Sequence, residues 1–318
     1  MVVRQVKSLH GVRVEPTVLP IDGRMRSYMH AAFSILALNF QKEKYDVVHA
    51  HTGHSGVLAC LQVRSPIVLS YVGYDLDSTS DRERLRRKVE RVIFRYLSSL
   101  VAASIVKSER AVERLPLRGR ARATVLPNGL DRDLFRPLPR AEARTILQWE
   151  DEPVILFAAD PGRPVKRFEL AAAAVAEARK HIPTARLVVC DGVPPNEVPL
   201  WMNAADVLLL TSSSEGSPNV VKEAMACNLP VVSVDVGDVA NVVGEARNCY
   251  VVPADPSSLG EALVRALMAL PERSDGRERT DHLDERRIAK RLRHVYEAAA
   301  ARGPGVAGFV TNRSVTPA

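Results

Sequence analysis

The chain has 318 residues, 46% of them hydrophobic and 25% charged, with a formal net charge of +7. At roughly 150 residues per domain this length suits about two domains with separate cores and excludes a small stapled module. The apolar content excludes a disordered chain, and no apolar run reaches the ~18 to 20 residues a membrane helix needs. The charge is unevenly placed: residues 82–122 hold 13 Lys and Arg against 4 Asp and Glu, a surplus of +9, so the rest of the chain sums to −2.

Residues 1–10 read as the end of a helix stopped at Gly11, with a strand expected at once over 12–19. Short apolar runs then alternate with longer stretches of helical spacing. Strands are predicted over 46–49, 67–71, 99–103 and 123–126, and, past Pro127, Pro137 and Pro139, over 154–158, 186–190, 207–210, 231–234 and 250–252. Continuous runs such as VILFA and DVLLL fit strands covered on both faces, and the alternation implies doubly wound, parallel-sheet α/β architecture in two domains, divided at 135/136. Residues 82–97 form an amphipathic helix, with Leu85, Val89, Val92, Ile93, Tyr96 and Leu97 on a stripe read as facing the core and arginines opposite. The segment 303–318 has no period and is expected to be disordered. A doubly wound domain opens with a strand and a glycine-rich turn into its first helix; both are missing ahead of residue 12, so the first domain is expected to lack its opening strand and the chain to be clipped.

Cys60, Cys190, Cys227 and Cys249 are widely spaced with no C-x-x-C pair, which reads as reduced thiols. With no signal-peptide pattern over the first nine residues, a cytosolic protein is expected.

The most informative stretch is ADVLLLTSSSEGSPNVVKEAMACNLPVVSVDVG at 205–237. A buried strand ends in three serines, then Glu215, Gly216 and Ser217; Pro218 suits the first position of a helix that runs through VVKEAMA. The free N–H groups and dipole of such a helix start favour an anion such as phosphate. At 1.5 Å rise per residue Glu223 lies roughly 8 Å along the axis from Pro218, so two carboxylates can flank a diphosphate and accept from the paired hydroxyls of a ribose and a hexose. From spacing alone, a capping glutamate and a solvated one are the commoner reading.

EGSPNVVKEAMA resembles the E-x7-E motif of retaining glycosyltransferase family 4, whose members have the two-domain GT-B fold. Four further blocks agree in order: DVVHAHTGHSG at 46–56 and IVLSYVGYDL at 67–76 resemble successive strand segments of the acceptor domain, VLPNGLDRDLFRP at 125–137 the interdomain signature, and VILFAADPGRPVKRFELA at 154–171 the opening strand and basic loop of the donor domain. Within the family, MNAAD with EGSPNVVKEAMACNLP looks most like the exopolysaccharide or teichuronic-acid type.

The resemblance implies a retaining, metal-independent transferase that moves a sugar from a nucleotide diphosphate sugar to a saccharide or lipid-linked acceptor in cell-surface polysaccharide synthesis, with no cofactor beyond that co-substrate. Carried over, Glu215 meets the hexose hydroxyls and Glu223 the ribose, and the backbone of Gly216, Ser217, Pro218 and Asn219 faces sugar and phosphates. Lys166 neutralises the diphosphate leaving group, where charge develops. The family's usual loop arginine is replaced by Asp160 in a loop one residue longer, so Arg163, or less readily Arg167, stands in. Two further departures are Val72 within Tyr71-Val72-Gly73-Tyr74-Asp75, where a histidine is common, and Asn241 within Gly237-Asp238-Val239-Ala240-Asn241, where an acid is. These keep open a non-catalytic sugar-nucleotide-binding or partner subunit of a transferase complex, and an epimerase of the same fold.

His49, His51 and His54 invite a metal reading, but polar residues at a strand's C-terminal end are the preferred one, with His51 and His54 expected to line an acceptor cleft. Asp75-Leu76-Asp77 and Asp131-Arg132-Asp133 match a D-x-D pattern too loose to imply a metal. For 82–122, a solvated surface is the default, helped by Glu83 facing Arg87. Peripheral contact with the inner face of a membrane comes second, by charge alone because the apolar stripe is assigned to the core. Nucleic acid comes last, since no recognition motif accompanies the charge.

Overall fold

Among the described residues, 2–76 and 85–303 of a computed structural model, nine strands form two sheets, both parallel throughout. The first takes β1 (Val48–His51), β2 (Ile67–Ser70), β3 (Ala103–Val106) and β4 (Ala123–Val125) in chain order. The second holds β5 (Val154–Phe157), β6 (Arg186–Val189), β7 (Val207–Leu210), β8 (Val231–Val234) and β9 (Tyr250–Val252) in the order β6-β5-β7-β8-β9. Every residue of β2, β3, β5, β7 and β8 is buried, as continuous apolar runs require when helices cover both faces. Strand order reverses direction at β5, so the crevice that such sheets use for ligands opens at the C-terminal ends of β5 and β7.

The chain divides into two compact units. Among the described residues the N-terminal unit comprises Leu9–Leu126 with 290–303, and the C-terminal unit comprises Pro127–Ala289 with 2–8. The divide thus falls ahead of the 135/136 boundary drawn from the sequence. The reason lies in the PNGLD block: Leu130 and Phe135 are buried in the core of the C-terminal unit, Leu130 bridges Asp284, and a Cβ on Gly129 would stand 2.8 Å from the Glu285 Cα. The MNAAD run serves the same unit. Asn203 holds the Leu138 N–H and the Arg136 carbonyl, while fully buried Asp206 accepts from Arg140, Arg144 and the Val154 N–H, fixing the entry to β5.

Three expectations are corrected. Residues 12–19 form no strand: the helix Val2–His10 is followed by a turn through Arg13 at φ +59°, and the chain then runs irregularly past Pro16, which lacks the N–H a ladder uses. The strand expected over 99–103 begins at Ala103, because the helix Leu85–Leu100 continues through its first residues. That helix also buries less of its predicted stripe than expected. Its core contacts are Phe94 and Leu97, which close on Gly53 and Gly56 of the helix Gly53–Ala59, where added Cβ atoms would collide with the Phe94 ring and come 3.4 Å from Leu97. Of the stripe assigned to the core, Leu97 is buried, whereas Leu85, Val89, Val92, Ile93 and Tyr96 are 47–76% exposed. Periodicity identifies a stripe but not the surface it faces. The tail from 304 on, and Asp77, Arg82 and Glu83, lie outside the described residues.

Candidate functional site

In the C-terminal unit, β5 leads into the turn 158–167 and β7 into the turn 211–218, and the two turns are laced together. The Ser213 N–H donates to the Val165 carbonyl at 2.8 Å, and the buried Thr211 hydroxyl donates to the Lys166 carbonyl at 2.8 Å. Arg167 returns the connection, with Nε donating to the Thr211 carbonyl at 2.6 Å and Nη2 to the Ser212 carbonyl at 3.3 Å. Arg167 adopts a left-handed φ of +50°, which costs a side-chain-bearing residue on the order of 1 kcal/mol and is held by these bonds. Burial lowers the pKa of its guanidinium.

The lacing brings together two residues 49 apart in sequence: Lys166 Nζ lies 2.5 Å from Glu215 Oε1, with both side chains less than one-fifth exposed. The contact is a charge-assisted hydrogen bond. Lys166 closes the one-turn 3-10 helix Pro164–Lys166, and Arg163 stands exposed at its head. Asp160, in the place of the usual arginine, accepts from the Gly162 N–H at 2.8 Å and closes the turn. Of the two arginines read as its substitute, Arg163 is thus exposed, whereas Arg167 is committed to carbonyl oxygens.

Glu215, Gly216 and Ser217 lead to Pro218, which is the cap preceding the helix Asn219–Ala226 and not its first helical residue. The free N–H groups of that helix start face the turn. Asn219 Oδ1 accepts from Asn128 Nδ2 at 3.1 Å, so the PNGLD block buttresses the same helix start. Glu223 is half-buried further along the helix. Burial, then Asp191 and Glu223, raise the Cys190 thiol to about 11. The carboxylates occupy different stations: Glu215 against Lys166 in the turn, Glu223 within the helix Asn219–Ala226. A neighbouring open cleft of about 720 Å³ is lined by Arg167, Ser212, Asp235 and residues after β9, and does not include Lys166, Glu215 or Glu223.

Sequence reasoning missed Thr211, the lacing role of Arg167 and the Asn128–Asn219 contact. Only a threonine directly after a buried strand hinted at the first.

In the N-terminal unit the three histidines have different surroundings. His49 sits between Ser70 Oγ at 2.8 Å and Tyr296 Oη at 2.7 Å, and burial, with His51 and Lys107, holds its pKa well below the usual value. The His51 ring lies 4.2 Å from that of His49, and burial, with Lys107, lowers its pKa to about 4. His54 packs edge-on against Phe94 and approaches Glu90 at 3.9 Å. Asp75 is buried and accepts from the Val72 N–H, while Asp131 caps its own turn and Asp133 pairs with Arg286 at 2.6 Å. Among the described residues no three of His, Cys, Asp and Glu converge as a metal site, and no helix is long and apolar enough to cross a membrane.

Residues 3–134 match the family described as Glycosyltransferase Family 4, and residues 171–269 that described as Glycosyl transferases group 1. TuaC of Bacillus subtilis (strain 168), named as a teichuronic acid biosynthesis glycosyltransferase, is 35% identical over 115 residues, 35% of this chain and 30% of that protein. Among solved structures, sucrose-phosphate synthase from Thermosynechococcus elongatus superposes with a TM-score of 0.71 at 22% identity, covering 90% of this chain and 82% of that one. Anabaena HepE, solved with UDP and glucose, gives 0.67 at 16% identity over 92% and 88%. Two doubly wound units with these neighbours define the GT-B fold. The chain belongs to glycosyltransferase family 4. It spans 30% and 60% of the lengths of the first two curated relatives it matches.

Proposed function

We propose that the chain is a retaining, metal-independent glycosyltransferase that moves a sugar from a nucleotide diphosphate sugar to a saccharide or lipid-linked saccharide acceptor in cell-surface polysaccharide synthesis. The observation that carries this reading is the 2.5 Å contact of Lys166 with Glu215 at the entry to the helix Asn219–Ala226. A cation, an acceptor-only carboxylate and a helix N-terminus side by side match a ligand that joins an anionic diphosphate to a hydroxyl-rich sugar. The HepE complex with UDP and glucose supports the donor class, and the name of TuaC supports the product class.

In this reading the donor divides the ion pair between its two halves. Lys166 and the exposed Arg163 take the diphosphate, Glu215 accepts from hexose hydroxyls and Glu223 from the ribose, and the backbone of Gly216, Ser217, Pro218 and Asn219 lines sugar and phosphates. As the bond from the anomeric carbon to the diphosphate oxygen breaks, negative charge grows on that oxygen, where Lys166 and the helix start stabilise it. The acceptor hydroxyl attacks from the face the diphosphate leaves and its proton passes to the departing phosphate oxygen, so the configuration is retained without a protein base. Val72 and the exposed Asn241 are compatible with that economy of acid–base groups. No metal or organic cofactor enters.

The protein would act in the cytoplasm, peripherally at the inner membrane face. The helix Leu85–Leu100 supports this with an exposed apolar stripe beside exposed Arg86, Arg87 and Lys88, which adds apolar contact to attraction by charge.

The test is a transfer and donor-hydrolysis screen against a panel of nucleotide sugars. Turnover by the wild type, lost in Lys166→Ala and Glu215→Ala, is expected. Donor binding without turnover would replace transfer by a sugar-nucleotide-binding subunit, and a new sugar stereoisomer from donor alone would mean an epimerase.

A further inference from the structure

Behind the Glu215 turn lies a buried charge that the reading above leaves without a role. Lys222, in the helix Asn219–Ala226, is 1% exposed, although an ammonium group taken out of water is costly unless its donors are matched. Lys222 Nζ donates to Ser217 Oγ at 2.5 Å and stands 3.9 Å from Asp238 Oδ2. Ser217 Oγ in turn donates to Asp238 Oδ2 at 2.5 Å. The hydroxyl therefore accepts from the lysine and donates to the aspartate, which fixes its orientation.

The aspartate reaches this position through Gly237. At φ +61°, Gly237 lies so close to the Glu215 and Gly216 carbonyl oxygens that a Cβ would stand 2.8 Å from each. Glycine lets the loop after β8 rest directly on the turn. The turn is thus gripped from two sides, by Lys222 below and by Gly237–Asp238 alongside, and both grips meet at Ser217.

The grip is not built for stability alone. Asp206, the other deeply buried aspartate of this unit, bonds through both oxygens, to Arg140 through Oδ1 and to Arg144 and the Val154 N–H through Oδ2. Asp238 bonds through Oδ2, while buried Oδ1 has no hydrogen-bond partner among the described residues. A carboxylate left half-satisfied in the interior weakens the fold relative to an apolar replacement, so its placement calls for another purpose.

We infer that Lys222, Ser217 and Asp238 form a positioning network that fixes the Glu215–Ser217 turn in the shape that meets the transferred sugar, with Lys222 and Asp238 acting through Ser217 and touching no ligand. The inference rests on the reading of Glu215 as the sugar contact. Glu223, further along the helix, is set by the helix itself. Loosening the turn should therefore weaken recognition of the sugar and spare that of the nucleotide.

Lys222→Met or Asp238→Asn alone strands a buried charge and risks the fold, so the informative variant is Lys222→Met/Asp238→Asn, which removes both charges at similar volume. Its thermal midpoint is expected close to wild type. Amide exchange read by mass spectrometry should be faster over 213–218 and unchanged over β5 and β7. Affinity should fall about tenfold or more for UDP-, GDP- or ADP-glucose, whichever the wild type binds, and stay within about twofold for the matching nucleoside diphosphate. Unchanged exchange over 213–218, or equal losses for both ligands together with a lowered midpoint, would overturn the inference. If the wild type binds none of the three nucleotide sugars, the functional reading fails by itself. The exchange result then decides for or against the network as the clamp of that turn.

Discussion

The turn after β7 in the C-terminal unit and the end of β1 in the N-terminal unit occupy the same topological station, the C-terminal end of a parallel strand, yet they are built from opposite electrostatics. At the first, a second turn laced on by Thr211, Ser213 and Arg167 brings Lys166 against Glu215, so that each partly buried charge is met by the other. At the second, His49 is enclosed by Ser70 and Tyr296, and burial keeps His49 and His51 uncharged near neutrality. The strand end supplies a place for a ligand; what that place can bind depends on the charge a neighbouring segment adds. In the proposed reading the charged end takes the diphosphate donor and the neutral end a hydroxyl-bearing acceptor.

The contrast can be broken most severely at the charged end. Glu215→Ala and Lys166→Ala are each expected to lower transfer by about 10² to 10³, the size of effect seen when a group stabilising developing charge is removed. Circular dichroism and melting should stay near wild type, and full activity in either variant would remove the charge from the site.

The neutral end makes a prediction about pH. His49 and His51 have folded pKa values below their unfolded ones, so as pH falls below about 6.5 the unfolded chain binds more protons and stability falls, for His51 down to about pH 4. For His51, moving from 6.5 to about 4, the loss by pH 5 is at most about 2 kcal/mol. Melting curves from pH 7.5 to 4.5 should show it, with a shallower slope in His51→Gln; an identical slope would mean that His51 titrates normally.

Arg167→Ala should cost about tenfold in transfer, because it cuts two of the bonds that hold the turns in register and so displaces Lys166 from Glu215. Loss in kcat/KM with little change in melting is the expected signature. The smallest effect lies on the helix Leu85–Leu100. Arg87→Gln/Lys88→Gln should weaken binding to phosphatidylglycerol vesicles by about fivefold per charge, at ~1 kcal/mol each. Val92→Asp should weaken it further at high salt, where screening leaves only the apolar contact. Vesicle binding that ignores both changes would return this helix to plain solvated surface.

How much of this could be read in advance depended on how local each feature is. β5 to β9 were legible as apolar runs, and β7, β8 and β9 fell on the predicted residues; β7 and β8, buried throughout, leave little ambiguity. The segment 12–19 imitated a strand, with burial alternating from Val12 to Pro16, but strands exist only as partners and none pairs with it. Glu215 and Glu223 came from resemblance to a motif, since spacing alone favoured a blander reading. The exposed stripe on Leu85–Leu100 was misassigned because Gly53 and Gly56 decide which face of that helix approaches the sheet, and they lie some thirty residues upstream. Lys222 and Asp238 were not seen as a pair because nothing in sequence joins residues 16 apart across a strand.

The central claim is that Lys166 and Glu215 form the charged heart of a nucleotide-sugar site. Calorimetric titration of the wild type, Lys166→Ala and Glu215→Ala with UDP-, GDP- and ADP-glucose and with the matching nucleoside diphosphates tests it most directly. The expected result is one nucleotide sugar bound by the wild type, with sugar and diphosphate forms both weakened by Lys166→Ala and the sugar form alone weakened by Glu215→Ala. Wild-type binding left intact in both variants would contradict it.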